Sequence, residues 1–211
     1  MNIVAIIPAR GGSKEIPKKN IKEIAGKPLI SWSINQAKES VLIDEVIVST
    51  DCEEIAGIAR NNGASIPFMR PGDLSDDKST TESAILHCIE YLNSQNKYPR
   101  IVVLIQCTSP IRSKGCFDKA IKHFIDNNFD SMLSVCRSNR FYWKDLQNPK
   151  AMYDFVNRPR RQDIKNDDQQ FLETGSFYIT KTDSLKESGN RLSGKIGMFL
   201  TDDDEQFEID T

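Results

Sequence analysis

The sequence predicts an α/β protein built on a mostly parallel, doubly wound sheet. Four short, continuous segments rich in β-branched residues are typical of strands buried on both faces: 3–7, 45–49, 101–105 and 131–135. Helical patterns follow or separate them at 29–38, 52–62, 80–93 and 114–127. Alternation of strands and helices at this spacing indicates parallel βαβ units.

The composition favours a single cytoplasmic domain with no nucleic-acid or membrane partner. The chain has 211 residues, and its 30 acidic side chains nearly balance its 28 basic ones. A global field that would attract DNA or a membrane surface is therefore not expected. The first residues are interrupted too early by Pro8 and Arg10 to form a signal peptide or a spanning helix. The five cysteines include no C-x-x-C pair, so we expect reduced thiols.

The rest of the chain is predicted to contain an excursion and two further strands. Residues 139–170 carry aromatic and basic side chains with little periodicity. We interpret this segment, called the arm below, as an antiparallel excursion that packs on a second subunit of a homodimer. Strands are expected at 175–180 and 207–210, and all 211 residues are assigned to one domain.

A cluster of cations follows the first predicted strand. In doubly wound sheets, ligands bind beyond the carboxyl ends of the strands. This rule selects the loops after Ile7, Ser49 and Ile105. The first loop contains two adjacent glycines, which let backbone amides approach a phosphate closely. It also carries four cations within ten residues: Arg10, Lys14, Lys18 and Lys19. Neither the P-loop pattern nor G-x-G-x-x-G occurs, so the sequence indicates a different kind of polyphosphate site.

Residues 10–14 (RGGSK) and 16–20 (IPKKN) resemble the signature loop of the CMP-sialic acid synthetases. Four further segments agree in order and spacing: 48–51, 106–110, 158–163 and 173–179. The resemblance implies a nucleotidyltransferase fold of the glycosyltransferase-A type, a homodimer and dependence on Mg²⁺ or Mn²⁺. It also implies transfer of CMP from CTP to the anomeric hydroxyl of a nine-carbon sugar acid, with release of pyrophosphate.

Matching positions imply roles for individual residues. CTP would be held by Arg10, Ser13, Lys14, Lys19, Asn20, Arg70, Ser79 and Thr81. Lys14 and Lys19 would neutralise the leaving pyrophosphate, and Gln106 would contact the sugar acid. Taken alone, Ser79 and Thr81 are also compatible with a helix cap.

The arginine cluster in the arm has two interpretations. Guanidinium groups bind carboxylates through two parallel hydrogen bonds, and the expected substrate carries a carboxylate on its reacting carbon. We therefore assign Arg158 and Arg161 to the catalytic site, where the arm of one subunit would reach its neighbour. The alternative is a basic import signal that includes Arg160.

A metal site is predicted near the end of the sequence. If residues 207–210 form a strand, Glu208 and Asp210 point from the same face. Carboxylate oxygens suit Mg²⁺. An edge strand facing water is the alternative, and the acidic residues at 202–205 are expected to form a solvated turn.

Some positions depart from the family pattern, and substrate alternatives stay open. Glu15 replaces the usual glycine, Cys107 a proline or small residue, and Glu208 an aspartate. The resemblance also predicts a further helix beyond Thr211.

The same chemistry on legionaminic, pseudaminic or ketodeoxyoctonic acid is an alternative function. Ketodeoxyoctonic acid is disfavoured because residues 106–110 lack an acidic loop. A binding homologue without turnover is a second alternative, against which the intact Lys14, Lys19, Arg161 and Asp210 argue.

Overall fold

The computed structural model describes residues 2–13, 16–160, 163–164 and 169–209. Its elements in chain order are β1 (Ile3–Pro8), β2 (Glu23–Ile24), β3 (Lys27–Pro28), α1 (Leu29–Lys38), β4 (Glu45–Ser49), α2 (Glu53–Asn61), α3 (Thr81–Ser94), β5 (Ile101–Ile105), α4 (Cys116–Asp126), β6 (Ser131–Ser138), β7 (Trp143–Lys144), β8 (Lys150–Ala151), β9 (Gln170–Lys181), α5 (Thr182–Ser188) and β10 (Ile196–Leu200). Single 3₁₀ turns lie at Lys19–Ile21, Gly72–Leu74 and Asp203–Gln206.

Six strands form the central sheet in the order β10-β6-β9-β5-β1-β4. β1 runs parallel to β4 and β5, and β10 runs parallel to β6. β9 separates these two parallel groups and is antiparallel to both of its neighbours. The predicted α/β fold with a mostly parallel sheet is confirmed.

Helices cover both faces of the sheet. Side chains of β1 alternate between the two faces, and its apolar residues from Ile3 to Ile7 are all buried. Ile7 packs in the core formed with α1, α2 and α4, whereas Ile6 packs in the core formed with α3 and α5. Burying each isoleucine fully stabilises the fold by roughly 1.5–3 kcal/mol. This explains why the first predicted strand has no polar positions before its end.

A wide bulge distorts β9 at the carboxyl edge of β5. Leu133 of β6 pairs with Tyr178, but Val135 pairs with Glu173, so residues 174–177 face a single β6 residue. That residue, Ser134, accepts a hydrogen bond from the Phe177 amide (3.1 Å), and its hydroxyl donates to the Phe177 carbonyl (3.0 Å). Within the bulge, Gly175 has a φ of +63°.

In the last third of the chain one strand is not predicted and one expectation is wrong. One edge strand of the sheet is β10, which the sequence does not predict because its glycine and its exposed apolar side chains obscure a strand pattern. Residues 207–209 are not a strand. The Ile209 amide instead donates to the Thr108 carbonyl (2.8 Å), which ties this segment to the loop after β5.

The described part of the arm contains the antiparallel hairpin β7–β8. Aromatic rings cluster on it: the centroids of Phe141 and Tyr153 are 4.4 Å apart, and those of Trp143 and Phe155 are 5.8 Å apart. Much of this surface is open, since Trp143 is 52% and Phe155 60% exposed. Across the described residues, every helix is too short or too polar to cross a bilayer.

Candidate active site

The loops after β1, β4 and β5 lie at one edge of the sheet because these three strands are parallel. Backbone groups join the first two loops. The Ala9 amide donates to the Ser49 carbonyl (2.9 Å), and the Gly11 amide donates to Asp51 Oδ1 (2.9 Å). A Cβ on Gly11 would lie only 2.9 Å from that of Cys52, so the first loop requires a glycine to pass this closely.

An open cleft of about 520 Å³ lies between these loops and the start of α3. Seven of the residues predicted to bind CTP line it: Arg10, Ser13, Lys19, Asn20, Arg70, Ser79 and Thr81. Thr108, from the loop after β5, lines it as well. The structure thus brings together residues from distant parts of the sequence, at the edge where doubly wound sheets bind ligands.

Two arginines supply much of the positive charge of this cleft. Arg70 is 6% exposed, and its Nε donates to Ser75 Oγ (2.9 Å). Burial lowers the pKa of Arg70, the Asp51 carboxylate 3.9 Å away opposes this shift, and the charge of Arg10 adds to it. Arg10 itself is half-exposed and pairs with Asp77 (3.1 Å), and its backbone carbonyl accepts from the side-chain amide of Asn20 (3.0 Å).

The segment before α3 adds hydroxyl groups to the cleft. Ser79 Oγ donates to Asp76 Oδ1 (2.6 Å) and lies 3.0 Å from the Asp73 carbonyl. Hydrogen bonds from the Ser79 side chain and nearby amides lower the pKa of Asp76. The helix cap is Thr80, which accepts from the Ser83 amide (3.1 Å). The cap interpretation of Ser79 and Thr81 is therefore wrong, and Thr81 is the first residue of α3.

Gln106 and Glu208 both lie close to Gly175 in the β9 bulge. A Cβ on Gly175 would collide with Glu208 Oε1 and lie 3.1 Å from Gln106 Oε1. The missing side chain of Gly175 therefore leaves space for both polar groups. The Gln106 amide donates to the Ser176 carbonyl (3.1 Å), which continues the β5–β9 pairing into the loop.

Six of the predicted residues are not among those that line the cleft, and two of them, Gln106 and Glu208, lie at the bulge instead. Lys14, Arg161 and Asp210 lie outside the described residues. Arg158 lies in the arm, with its guanidinium carbon 4.5 Å from the centroid of the Phe141 ring and 5.9 Å from that of Tyr153. Among the described residues, no group of three or more His, Cys, Asp or Glu side chains is placed to hold a metal ion. Glu208 is the member of the predicted metal pair that the structure describes.

Sequence reasoning missed two buried charges beside the site. Glu205 is 2% exposed and accepts from the Ser113 amide (3.0 Å), so the prediction of a solvated turn at 202–205 is wrong for this residue. Arg112 is 9% exposed in the loop after β5. Only its position directly after the 106–110 motif could have drawn attention to it.

A chain of polar contacts also borders the bulge. Arg191 Nε donates to Glu82 Oε1 in the first turn of α3 (2.6 Å). Its guanidinium carbon is 4.9 Å from the centroid of the Tyr178 ring, and the Tyr178 hydroxyl donates to Glu173. Burial and this hydrogen bond raise the pKa of Tyr178.

All five cysteines are free, and burial raises the pKa of Cys88, Cys107 and Cys116 to about 12, so these three are protonated at neutral pH.

Comparisons with known proteins agree with this geometry. Residues 4–203 match the family model described as cytidylyltransferase. A pseudaminic acid cytidylyltransferase of Campylobacter jejuni is 36% identical over 184 residues, which cover 85% of this chain and 78% of that protein. N-acylneuraminate cytidylyltransferase A of Danio rerio is 37% identical over 92% of this chain, which spans 44% of that relative. The structure of a CMP:2-keto-3-deoxy-manno-octonic acid synthetase complexed with CTP aligns over 95% of this chain and 90% of its own, with a TM-score of 0.68 and 17% identity.

Proposed function

Because the chain belongs to the cytidylyltransferase family, we propose that it transfers CMP from CTP to a nine-carbon, sialic-type sugar acid. The anomeric hydroxyl of the sugar attacks the α-phosphorus of CTP, the new P–O bond forms, and the bond to pyrophosphate breaks. The hydroxyl proton leaves to solvent or to a neighbouring base. The observation that carries this proposal is the cleft at the carboxyl edge of β1, β4 and β5, where Arg10, Lys19 and Arg70 outnumber the carboxylates of Asp76 and Asp77.

The cleft supplies charge and hydrogen-bond donors for a triphosphate. Arg10, Lys19 and Arg70 converge on it, and Lys14 is proposed to join them. The pair between Arg10 and Asp77 is solvent-exposed and therefore weak, so a phosphate can replace the carboxylate. Phosphoryl transfer depends mainly on positioning and charge stabilisation, which fixed guanidinium and ammonium groups provide. Lys19 and Lys14 are assigned to the leaving pyrophosphate.

A metal ion is proposed beside the phosphates. The Glu208 carboxylate is exposed and rests over Gly175, and hard oxygen ligands of this kind fit Mg²⁺ or Mn²⁺. Asp210 would be the second ligand. When bound, the ion would neutralise negative charge on phosphate oxygens. The chain between Glu208 and Asp210 is brought to this position by Ile209, because the Ile209 amide donates to the carbonyl of Thr108, which lines the cleft.

The sugar acid is assigned to the space above the β9 bulge. Gln106 would contact the sugar, and Arg158 with Arg161 would bind its carboxylate. Arg158 lies against aromatic rings of the arm rather than at the cleft of its own subunit. This position supports the proposal that Arg158 binds substrate in the active site of a neighbouring subunit. We propose that the arm pairs two copies in a homodimer, supported by its open apolar side chains. A cytoplasmic location is proposed because the cysteines are free.

Pseudaminic acid is the second candidate substrate. The Campylobacter relative named for it matches this chain about as closely as the Danio relative named for N-acylneuraminate, at 36% and 37% identity. Both candidates require the same nucleotide cleft and differ only in the groups read around the sugar ring.

Release of pyrophosphate tests the proposal directly. The purified protein is assayed with CTP, UTP, ATP or GTP against N-acetylneuraminic, pseudaminic, legionaminic and ketodeoxyoctonic acids. Turnover should require CTP and N-acetylneuraminic acid, stop with EDTA and return with Mg²⁺ or Mn²⁺. Lys19→Ala should be defective, whereas Lys97→Ala, which removes a surface lysine paired with Glu45, should behave as wild type. Equal rates with UTP would refute the cytidylyl assignment, and CTP binding without turnover would support the non-catalytic alternative.

A further inference from the structure

A buried arginine fastens the loop after β5 to its surroundings. Arg112 uses five hydrogen bonds, and their acceptors are all neutral oxygens. Nε donates to Ser176 Oγ (2.9 Å), Nη1 to Ser33 Oγ (3.1 Å) and Gln36 Oε1 (2.9 Å), and Nη2 to the carbonyls of Gln106 (2.8 Å) and Ser176 (2.9 Å). A guanidinium has five N–H donors, so the donor capacity of Arg112 is fully used.

These bonds connect three parts of the fold. Ser33 and Gln36 belong to α1, Ser176 belongs to the β9 bulge, and the Gln106 carbonyl is the first acceptor beyond β5. Gln36 also donates through Nε2 to the Pro110 carbonyl (2.8 Å). Helix α1 therefore holds the loop at two points. It is linked to Gln106 through Arg112, and Gln36 binds Pro110 directly.

If this position only had to be filled, burying an arginine there would be less favourable than burying an apolar side chain. Burial lowers the pKa of Arg112 to about 10, so the group still carries its charge at neutral pH. Removing a charged group from water costs more than burying an apolar side chain of similar size. What the guanidinium adds is a planar, rigid arrangement of donors that fixes several acceptors relative to one another. The acceptors it fixes include the backbone of Gln106.

We propose that Arg112 is a positioning residue for the sugar-acid site. By fixing the Gln106 carbonyl against the β9 bulge, it sets the direction in which the Gln106 side chain leaves the backbone. This inference rests on the proposed function, in which Gln106 contacts the sugar acid. Apart from Thr108, which lies in the fastened loop, the nucleotide cleft is held by other bonds, such as those between Asn20 and Arg10 and between Arg70 and Ser75. Loss of Arg112 should therefore affect the sugar acid rather than CTP.

Replacement by lysine keeps the charge but cannot reproduce the five bonds. In Arg112→Lys, kcat/KM for the sugar acid should fall by about 10²-fold, the effect expected for a misplacement on the order of 1 Å. The Kd for CTP, measured by calorimetry, should stay within about twofold of wild type. Circular dichroism and thermal unfolding show whether the variant is folded. Parallel losses in both constants from a folded protein would overturn the proposal.

A milder pair of variants keeps the test decisive if Arg112→Lys does not fold. Ser33→Ala removes one acceptor and should lower kcat/KM for the sugar acid by roughly 3- to 10-fold. Ser31→Ala is the matched control, because Ser31 is also buried on the same helix and its hydroxyl has no hydrogen-bond partner among the described residues. Equal behaviour of the two serine variants would overturn the proposal.

A double-mutant cycle separates positioning from general destabilisation. If Arg112 acts through Gln106, adding Ser33→Ala or Arg112→Lys to Gln106→Ala should cause little further loss for the sugar acid. Additive losses would overturn the proposal while leaving the proposed function intact. No pyrophosphate release by the wild type with any of the four acids would overturn the proposed function, and the inference with it.

Discussion

Substitution of Gly175 separates the strain of a backbone turn from the displacement of a functional side chain. Gly175 has a φ of +63°, a conformation that costs an alanine about 1–2 kcal/mol. The free energy of unfolding of Gly175→Ala should fall by about that amount. The added methyl group would also occupy the position of Glu208 Oε1, and the exposed carboxylate must move away.

The second effect should appear in the metal dependence of turnover. A displacement of the Glu208 carboxylate on the order of 1 Å can cost about 10²-fold in rate. We therefore expect Gly175→Ala to need more Mg²⁺ for half-maximal rate and to turn over at least about tenfold more slowly at saturation. CTP affinity without metal should change little, because the atoms nearest to Gly175 belong to Glu208 and Gln106 and not to residues that line the cleft.

Gly189→Ala is the matched control for this experiment. Gly189 ends α5 with a φ of +65°, and its added Cβ would meet no described atom within 4 Å. It should lose the same amount, about 1–2 kcal/mol, from backbone strain and retain normal metal dependence. Chemical denaturation and pyrophosphate release at varied Mg²⁺ measure the two effects. Identical metal dependence of both variants would refute a role for Glu208 at this position.

Three other predictions address the arm, the assembly and the stability of the fold. Arg161→Lys should lower kcat/KM for the sugar acid by roughly 30- to 1000-fold and leave the affinity for CTP nearly unchanged, because an ammonium group cannot make the two parallel hydrogen bonds of a guanidinium to a carboxylate. Selective loss of CTP binding would contradict this prediction. Light scattering should show a dimer at assay concentration, and a fully active monomer would exclude the proposed pairing. Asp44 accepts hydrogen bonds from the amides of Ile3 and Asn2, which lower its pKa. Its stabilisation is present above the unfolded-state pKa and is lost as pH falls through the folded-state value, so the deficit of Asp44→Asn should shrink below about pH 4. A deficit independent of pH would contradict it.

The parts of the fold that the sequence predicts well are those buried on both faces. The predicted positions of β1, β4 and β5 agree closely with the structure, because a short, continuous, β-branched run is typical of a strand with helices on both sides. β10 was missed because one of its faces is half-exposed and Gly197 packs its Cα against the ring of Phe129. The alternation of residues 207–210 predicts a strand, whereas in the described part, 207–209, the Ile209 amide bonds to the Thr108 carbonyl and ties the segment to the loop after β5.

The cleft assigned to the nucleotide can be predicted from the sequence, and the bulge cannot. Cations that follow a buried strand within about ten residues are visible along the chain, and the topology rule places them at the ligand edge. The convergence of Gln106, Gly175 and Glu208 depends on a register shift in β9, which leaves no periodic signal. Arg112 and Glu205 were missed for a related reason: charged residues are expected at the surface, and only tertiary contacts show that these two are buried.

Because β9 runs antiparallel to both of its neighbours, it forms a seam between the two parallel blocks of the sheet. The sequences of these two blocks can change separately during evolution. β4, β1 and β5 carry the cleft assigned to the nucleotide, whereas Gln106, the bulge and the arm border the seam between the blocks. Apart from Thr108, the described residues of the two regions are held by different hydrogen bonds, so we expect substitutions at the seam to disturb the cleft little. An enzyme built this way can exchange its sugar-acid acceptor while retaining its nucleotide donor, as the names of the Campylobacter and Danio relatives illustrate.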